Sequence, residues 1–291
     1  VGLLLNAILI RAIRNHTPVV LRVYAAIFRA SAYIDCAALL TMMFTTTREV
    51  IFKGSCIMEF YGVCSLMNDQ ACWNAVGLQV YFYSTTYTLL CLSFAFRYYS
   101  LGKGLNEKKV SWLIFYALLL NIHEMPTYSH SLAIGFTQKA YIEDYKHDHV
   151  VEAFRWSVVY FPDLFSSFTM SFSMFTALIY FLIMVGIRSR TIARFAHYEA
   201  KMSSGTRTNQ AMLNDALNVQ LAASSFWFIG GTLFTINVIF EGTSPNFAHY
   251  TPSIINLQNI STPLTNLCII TPYRKSIFQF IRRQANRISN R

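Results

Sequence analysis

Long apolar runs, broken at intervals by short clusters of basic residues, dominate the chain. The most regular of them, from Trp73 to Phe96, contains no charged residue and ends in Phe96-Arg97-Tyr98-Tyr99. At ~1.5 Å per residue it covers ~36 Å, enough to cross a ~30 Å hydrocarbon core with some tilt. The arginine among aromatics then arrives where the hydrocarbon stops. Taken as the third of a series, this run sets the register of the others, which the pattern predicts at about 1–10, 24–43, 73–96, 110–136, 163–187, 216–240 and 252–270.

The first run is short. Val1 to Ile10 meets Arg11 and Arg14 after ~15 Å, half a bilayer, and reads as the inner half of a span whose outer half precedes this sequence. A basic turn covers 11–22. The second run carries Arg29 near one end, from which it can snorkel to the headgroups, and Asp35 near its middle, which has to face the interior of a bundle. A loop of ~25 residues with Cys56 and Cys64 leads to the third run. The fourth is interrupted by His123-Glu124-Met125-Pro126, and a polar loop from Lys139 to Glu152 follows it. Between the fifth and sixth, 188–214 is polar but helix-compatible. The tail, 274–291, sets apolar residues at 277, 278, 280 and 281 against basic neighbours, as in a helix lying in a membrane interface. These features predict an all-α fold: one domain over 1–291, a seven-transmembrane helix bundle with its first span truncated, and a short amphipathic helix at the C-terminus.

Composition agrees. With 54% hydrophobic and 13% charged residues and a mean hydropathy of +0.36, the chain is more apolar than a soluble domain of 291 residues can bury. A net charge of +10 would suit nucleic acid if it formed one patch. Its distribution says otherwise. Of the 24 Lys and Arg, all but Arg48, Lys53, Lys139, Lys146 and Arg155 fall on the side of Arg97 and the tail, which predicts a cytoplasmic C-terminus and basic loops that meet anionic lipids.

Enzyme chemistry is not visible. There is no glycine-rich phosphate loop, no Cys-x-x-Cys pair and no His-Glu-x-x-His, so no cofactor and no metal are expected. His147 and His149 with Asp144 and Asp148 read as a solvated loop, and Glu124 beside His123 reads as a hydrated position near the outer surface rather than a proton relay. Cys56, Cys64 and Cys72 all lie outside in this topology; one pair can bridge and the third stays free, with the pairing open. Cys36, Cys91 and Cys268 fall within spans as packing residues. Asp35 needs a partner in the hydrocarbon, and Asn6 with the polar run Asn256, Gln258, Asn259, Ser261 and Thr262 of the seventh run supplies candidates for an intramembrane network or for polar contacts between helices.

Four stretches resemble the nematode serpentine chemoreceptors of the Str superfamily, class delta among its branches. They are Thr17-Pro18-Val-Val-Leu-Arg22-Val-Tyr24 leading to Asp35, then Phe96-Arg97-Tyr98-Tyr99, then Met202-Ser-Ser-Gly-Thr206-Arg207 with 213–220, and finally Thr271-Pro272-Tyr273-Arg274. All four occur in order, each at the matching membrane face. The resemblance implies a G-protein-coupled receptor of sensory cilia that binds a small external molecule, an odorant or pheromone, and activates a heterotrimeric G protein. It implies coupling through Arg97, Tyr98, Tyr99, Tyr273 and Arg274, although an arginine at a helix end also serves simply to anchor it. It places the ligand in the outer half between the third, fifth, sixth and seventh spans, where Asn74, Leu78, Tyr81 and Thr85 recur at helical spacing and Trp227, Asn237 and Asn256 close the cavity. The aromatic surplus points to an uncharged or weakly polar ligand. Two features depart from other receptors: the sixth span has Ser224-Ser225-Phe226-Trp227-Phe228 but no proline, and the outer loop 139–155 has no cysteine. A transporter or channel is the alternative, but it favours helices broken at matching positions of two halves, and only one interruption occurs here.

Overall fold

The computed structural model describes residues 1–17, 22–52, 55–101, 107–136, 155–159, 163–199, 203–240, 245–275 and 278, without the side chains of 107, 108, 170, 173, 174, 199, 209, 235, 237–239, 245–253, 255 and 256. Among the described residues the chain forms α1 (Gly2–His16), α2 (Arg22–Thr45), a hairpin β1 (Thr47–Phe52) and β2 (Ser55–Phe60), a 3-10 turn (Val63–Leu66) and α3 (Asp69–Ser100). Then follow α4 (Glu107–Leu120), α5 (Glu124–Phe136), β3 (Arg155–Val159), α6 (Leu164–Glu199), α7 (Ser204–Ile239) and α8 (Pro245–Ile269). The fold is mainly helical. Among the described residues, two helical stretches, Arg22–Thr45 and Phe175–Tyr198, are long and apolar enough to cross a membrane by length and composition.

α3 is the axis of the molecule and packs against α2, α4, α5 and α6. Asn68 starts it, its side chain accepting the Ala71 N–H at 2.7 Å. At one end of the bundle, Leu9 and Ile13 of α1, Tyr24 and Phe28 of α2, Phe94 of α3, Met184 of α6, Leu217 of α7 and Tyr273 beyond α8 form a continuous core. The opposite face of several helices stays apolar and uncovered, with Trp112, Tyr116 and Leu120 on α4 and Phe168, Phe175 and Leu182 on α6 all exposed. Water would not tolerate patches of this extent, whereas lipid does.

The loop expected after the second run is instead a three-stranded antiparallel sheet of order β1-β2-β3. Helical spacing gave no signal for it, but Arg48-Glu49-Val50-Ile51-Phe52 and Ser55-Cys56-Ile57-Met58-Glu59-Phe60 carry the β-branched and aromatic residues that favour strands. One face, with Ile51, Cys56, Met58, Phe60 and Val159, packs on Trp73 and Val76 of α3, Leu132 of α5 and Phe234 of α7. The sheet therefore roofs one end of the bundle. Glycine permits its closest approach: a Cβ at Gly135 would overlap the Val158 carbonyl.

Three covalent or polar ties hold the roof. Cys64 bridges to Cys72, fastening the turn to the top of α3, while Cys56 stays free and buried in β2. That resolves the pairing left open by sequence. Arg155 donates to Asp69 at 2.7 Å, to the Ser65 carbonyl at 2.8 Å and to the Met67 carbonyl at 2.9 Å, tying β3 to the same turn. Thr46, at φ 39°, swings the chain from α2 into β1 and accepts the Tyr61 N–H at 3.1 Å.

Other boundaries shift too. α1 continues through Arg11 and Arg14, so the basic turn begins at Thr17. The fourth element breaks at 121–123, overlapping the expected interruption of 123–126 only at His123, and Pro126 sits in the first turn of α5, where no N–H is needed. The Asn121 amide fixes the break, donating to the Ala117 carbonyl at 2.9 Å and to Thr88 Oγ1 on α3 at 3.0 Å. The polar stretch 188–214 is mostly helix, as α6 and α7 both extend past their apolar segments. The expected tail helix and the loop with Asp144, His147, Asp148 and His149 lie outside the described residues.

Candidate functional site

At the end away from the sheet, Arg97 sits in the last turn of α3 and is only 1% exposed. Its Nη2 donates to the Gln210 carbonyl of α7, and its Nε and Nη1 have no partner. A buried guanidinium held by one neutral carbonyl is an expensive arrangement. It is suited to an acceptor that arrives from outside. Tyr24 of α2 walls the site, packing edge-on against Phe96 with centroids 5.2 Å apart and donating to the Ser93 carbonyl at 3.1 Å.

Neighbouring contacts hold the helix ends in register. The Tyr98 ring lies 4.7 Å beneath the Arg194 guanidinium of α6, which also donates to the Tyr98 carbonyl at 3.3 Å. Arg188 Nε donates to Asn218 Oδ1 at 2.7 Å, linking α6 to α7. Tyr273 is buried with its hydroxyl 3.2 Å from Thr17 Oγ1, whereas Tyr99 and Arg274 face outward.

The middle of the bundle is polar. Asp35 Oδ1 accepts the Thr86 hydroxyl of α3 at 3.0 Å, and its Oδ2 has no partner. Asn6 Nδ2 donates to the Gly2 carbonyl at 3.1 Å and to the Asn259 carbonyl at 3.4 Å. So α1 meets α8 through Asn6, and α2 meets α3 through Asp35. The Tyr87 hydroxyl lies 3.0 Å from the Ser224 carbonyl of α7 and 2.9 Å from the Gln258 amide oxygen of α8. One side chain thereby joins three helices. Gln220 donates to Asn266 at 2.8 Å, a second link between α7 and α8, and Trp227 packs edge-on against Tyr87 with centroids 5.7 Å apart.

Above this level α3 presents two different faces. Gln79, Tyr83 and Tyr87 follow one another at i, i+4, i+8 on one of them, with Gln79 donating to the Tyr83 hydroxyl at 2.9 Å and accepting the Thr45 hydroxyl of α2 at 3.4 Å. Tyr81, on the other, donates to the Leu118 carbonyl of α4 at 3.2 Å; Asn74 accepts from Gln70 at the surface at 2.9 Å, Leu78 is half-buried, and Thr85 is fully buried with its hydroxyl unpartnered.

A chain of helices carrying a buried arginine at one end, a polar hub at mid-depth and a sheet across the other has the layout of a receptor. The sequence matches the family described as serpentine type 7TM GPCR chemoreceptor Srd over residues 1–279. The chain belongs to this chemoreceptor family. It is 25% identical to serpentine receptor class delta-1 of Caenorhabditis elegans, covering 99% of this chain and 82% of that one. It is 22% identical to class delta-3 (95% and 83%) and 21% identical to class delta-2 (96% and 80%) of the same nematode. The receptor is thus an integral, multi-pass membrane protein of a family of chemoreceptors, not enzymes.

The structure brings several of the expected residues together and separates others. Arg97 and Tyr98 share one helix end with α6 and α7, Tyr273 meets Thr17 at the end of α1, and Asn6 meets Asn259. Asp35 is held by Thr86, which the sequence reading did not single out. The side chains of Asn237 and Asn256 lie outside the described residues. The Tyr83–Tyr87 line was also missed. Its signal in the sequence is a polar-aromatic repeat at spacing four, as regular as the Asn74–Thr85 repeat and indistinguishable from it without the neighbouring helices.

Proposed function

We propose that this receptor binds a small external molecule, an odorant or pheromone, beneath the sheet and activates a heterotrimeric G protein at the end carrying Arg97. On this reading it crosses the membrane seven times, α4 and α5 together forming one interrupted pass. The cytoplasmic C-terminus and residence in the sensory ciliary membrane belong to the same proposal. The observation that carries it is Arg97, buried yet bonded to a single carbonyl of α7, with Nε and Nη1 open to an incoming acceptor such as a G-protein C-terminal carboxylate.

The proposed ligand chamber lies between the sheet and the Tyr87–Trp227 pair, walled by Gln79 and Tyr83 of α3. A ligand there favours the active arrangement to the extent that it binds that arrangement more tightly. α7 is the moving element. It lacks proline, but Ser224 and Ser225 bond back to the Leu221 and Ala222 carbonyls at 2.7 and 2.6 Å, a local competition with the helical ladder that bends helices. The Tyr87 contact to the Ser224 carbonyl sits at this point, so changes in the chamber reach the hinge. Outward motion of the Gln210 end would release Arg97.

The test is guanine-nucleotide exchange on Gα in membranes carrying the full-length receptor, screened with a panel of volatile and water-soluble odorants, together with Arg97→Ala at matched surface expression. Ligand-dependent exchange that is lost in Arg97→Ala supports the reading. Exchange of equal size in Arg97→Ala overturns the role of Arg97, and an externally accessible C-terminal reporter overturns the topology.

A further inference from the structure

Among the described residues, the inner face of the roof is mostly apolar; by the strand register Thr47, Ser157 and Arg155 share it. Ser157 is spent on the Leu132 carbonyl and Arg155 on Asp69 and two turn carbonyls, and Glu49 is the one carboxylate of this face. Glu49 pairs with Met58 in the β1–β2 register, and paired residues project from the same face of a sheet. Met58 and its neighbours Ile51, Cys56 and Phe60 all belong to the cluster packed on Trp73, Val76, Leu132 and Phe234. Glu49 therefore points with them toward the bundle. Its charge is felt by the buried Cys56 thiol on the same face.

No basic side chain among the described residues meets Glu49. Arg48 and Glu59, paired at 3.6 Å, occupy the opposite face of the hairpin, so the nearest cation on the strand is committed elsewhere. Glu49 is half-buried in this face. Within the same cluster the Trp73 indole N–H is buried and unpartnered. A carboxylate set in an apolar surface is normally matched by a positive charge. Among the described residues none is supplied.

We propose that Glu49 is the anchor for the cationic head of the ligand, a small protonated amine whose aromatic or aliphatic body descends along Tyr83 toward Tyr87 and Trp227. This rests on the chamber proposed above and names the chemistry it selects. The apolar body expected from the aromatic surplus is retained; the expectation of an uncharged ligand is replaced. The Trp73 ring offers the ammonium an aromatic face as well.

The test is thermal unfolding of the full-length receptor in nanodiscs at about pH 8, where small alkylamines stay protonated. The probes are 2-phenylethylamine and n-octylamine, compared with 2-phenylethanol and n-octanol of matched shape. Each amine should raise the melting temperature at roughly tenfold lower concentration than its alcohol. Glu49→Gln should abolish that preference and leave the response to the alcohols unchanged, while Glu49→Asp, which keeps the charge, should retain part of it. Equal responses to amine and alcohol, no response to either amine, or a preference that survives in Glu49→Gln would overturn the proposal. Because binding is read without a G protein, amine selectivity in the absence of any Gα exchange would reject the coupling reading and leave Glu49 in place; exchange driven equally by amines and alcohols would do the reverse.

Discussion

Thr17 and Tyr273 stand 256 positions apart in the chain, yet their hydroxyls lie 3.2 Å from each other. Each belongs to a different stretch that resembles the family, Thr17-Pro18 after α1 and Pro272-Tyr273-Arg274 after α8. Two short motifs with no sequence proximity thus form one contact, which closes the ring of helices at the Arg97 end. A hydrogen bond between side chains is worth about 0.5–1.5 kcal/mol net. Tyr273→Phe and Thr17→Val should each lower the thermal midpoint by a few degrees, and the double variant should lose little more than either. Full additivity would show that the contact does not couple them.

Tyr87 ties α3 to both α7 and α8 beside the Ser224–Ser225 pair. Tyr87→Phe keeps the ring against Trp227 and removes the hydroxyl. It should raise ligand-independent nucleotide exchange several-fold, because α7 loses a restraint at its bend. Unchanged basal exchange at equal expression would assign Tyr87 to packing alone.

The Cys64–Cys72 bridge closes a short loop, with a sequence separation of 8, and the chain-entropy estimate for such a loop is about 2–3 kcal/mol. Cys64→Ser, Cys72→Ser and the double substitution should destabilise the receptor to the same extent. In Cys56→Ser, peptide mapping under non-reducing conditions should still recover the 64–72 bridge. A bridge that migrates to Cys56 in wild type would contradict the assignment.

Burial holds the Glu49 carboxyl up at about 7, above the ordinary 4.5. The titratable group on its face of the hairpin is the Cys56 thiol, itself pushed well above its usual range by burial and then by Glu49. A raised carboxyl favours the folded state only while protonated. Its contribution is therefore complete below about pH 4.5 and disappears as the pH rises through about 7. The melting temperature of the ligand-free receptor should fall between about pH 5 and about pH 8, and Glu49→Gln should flatten that fall. An identical slope in the variant would place the titration elsewhere.

Much of this architecture is legible in the linear chain, for a physical reason specific to membranes. Lipid selects apolar runs of nearly fixed length, and the basic residues that cannot enter it collect on one side. The run from Trp73 to Phe96 and the position of Arg97 at its end follow from those constraints alone. What they do not encode is which way a helix faces. A face turned to lipid is as apolar as a face turned to a neighbouring helix, so the Asn74–Tyr81 side of α3 and the Tyr83–Tyr87 side look alike until α4 and α7 are packed against them. The roof was hidden for a different reason. Its strands are short, and strand pairing depends on a partner, β3, that lies far along the chain.

The sequence by itself determined a polytopic helical membrane protein and its chemoreceptor family. Tertiary structure decided the rest: the choice of Cys72 over Cys56 as the partner of Cys64, the capture of Asp35 by Thr86, the meeting of Tyr87 with Ser224 and Gln258, and the inward face of Glu49. All but the Cys64–Cys72 bridge, whose partners are separated by 8, depend on segments remote in the chain or on strand register. Hydrophobic patterning sets where a segment lies along the membrane normal, and only packing sets which of its sides meets which neighbour.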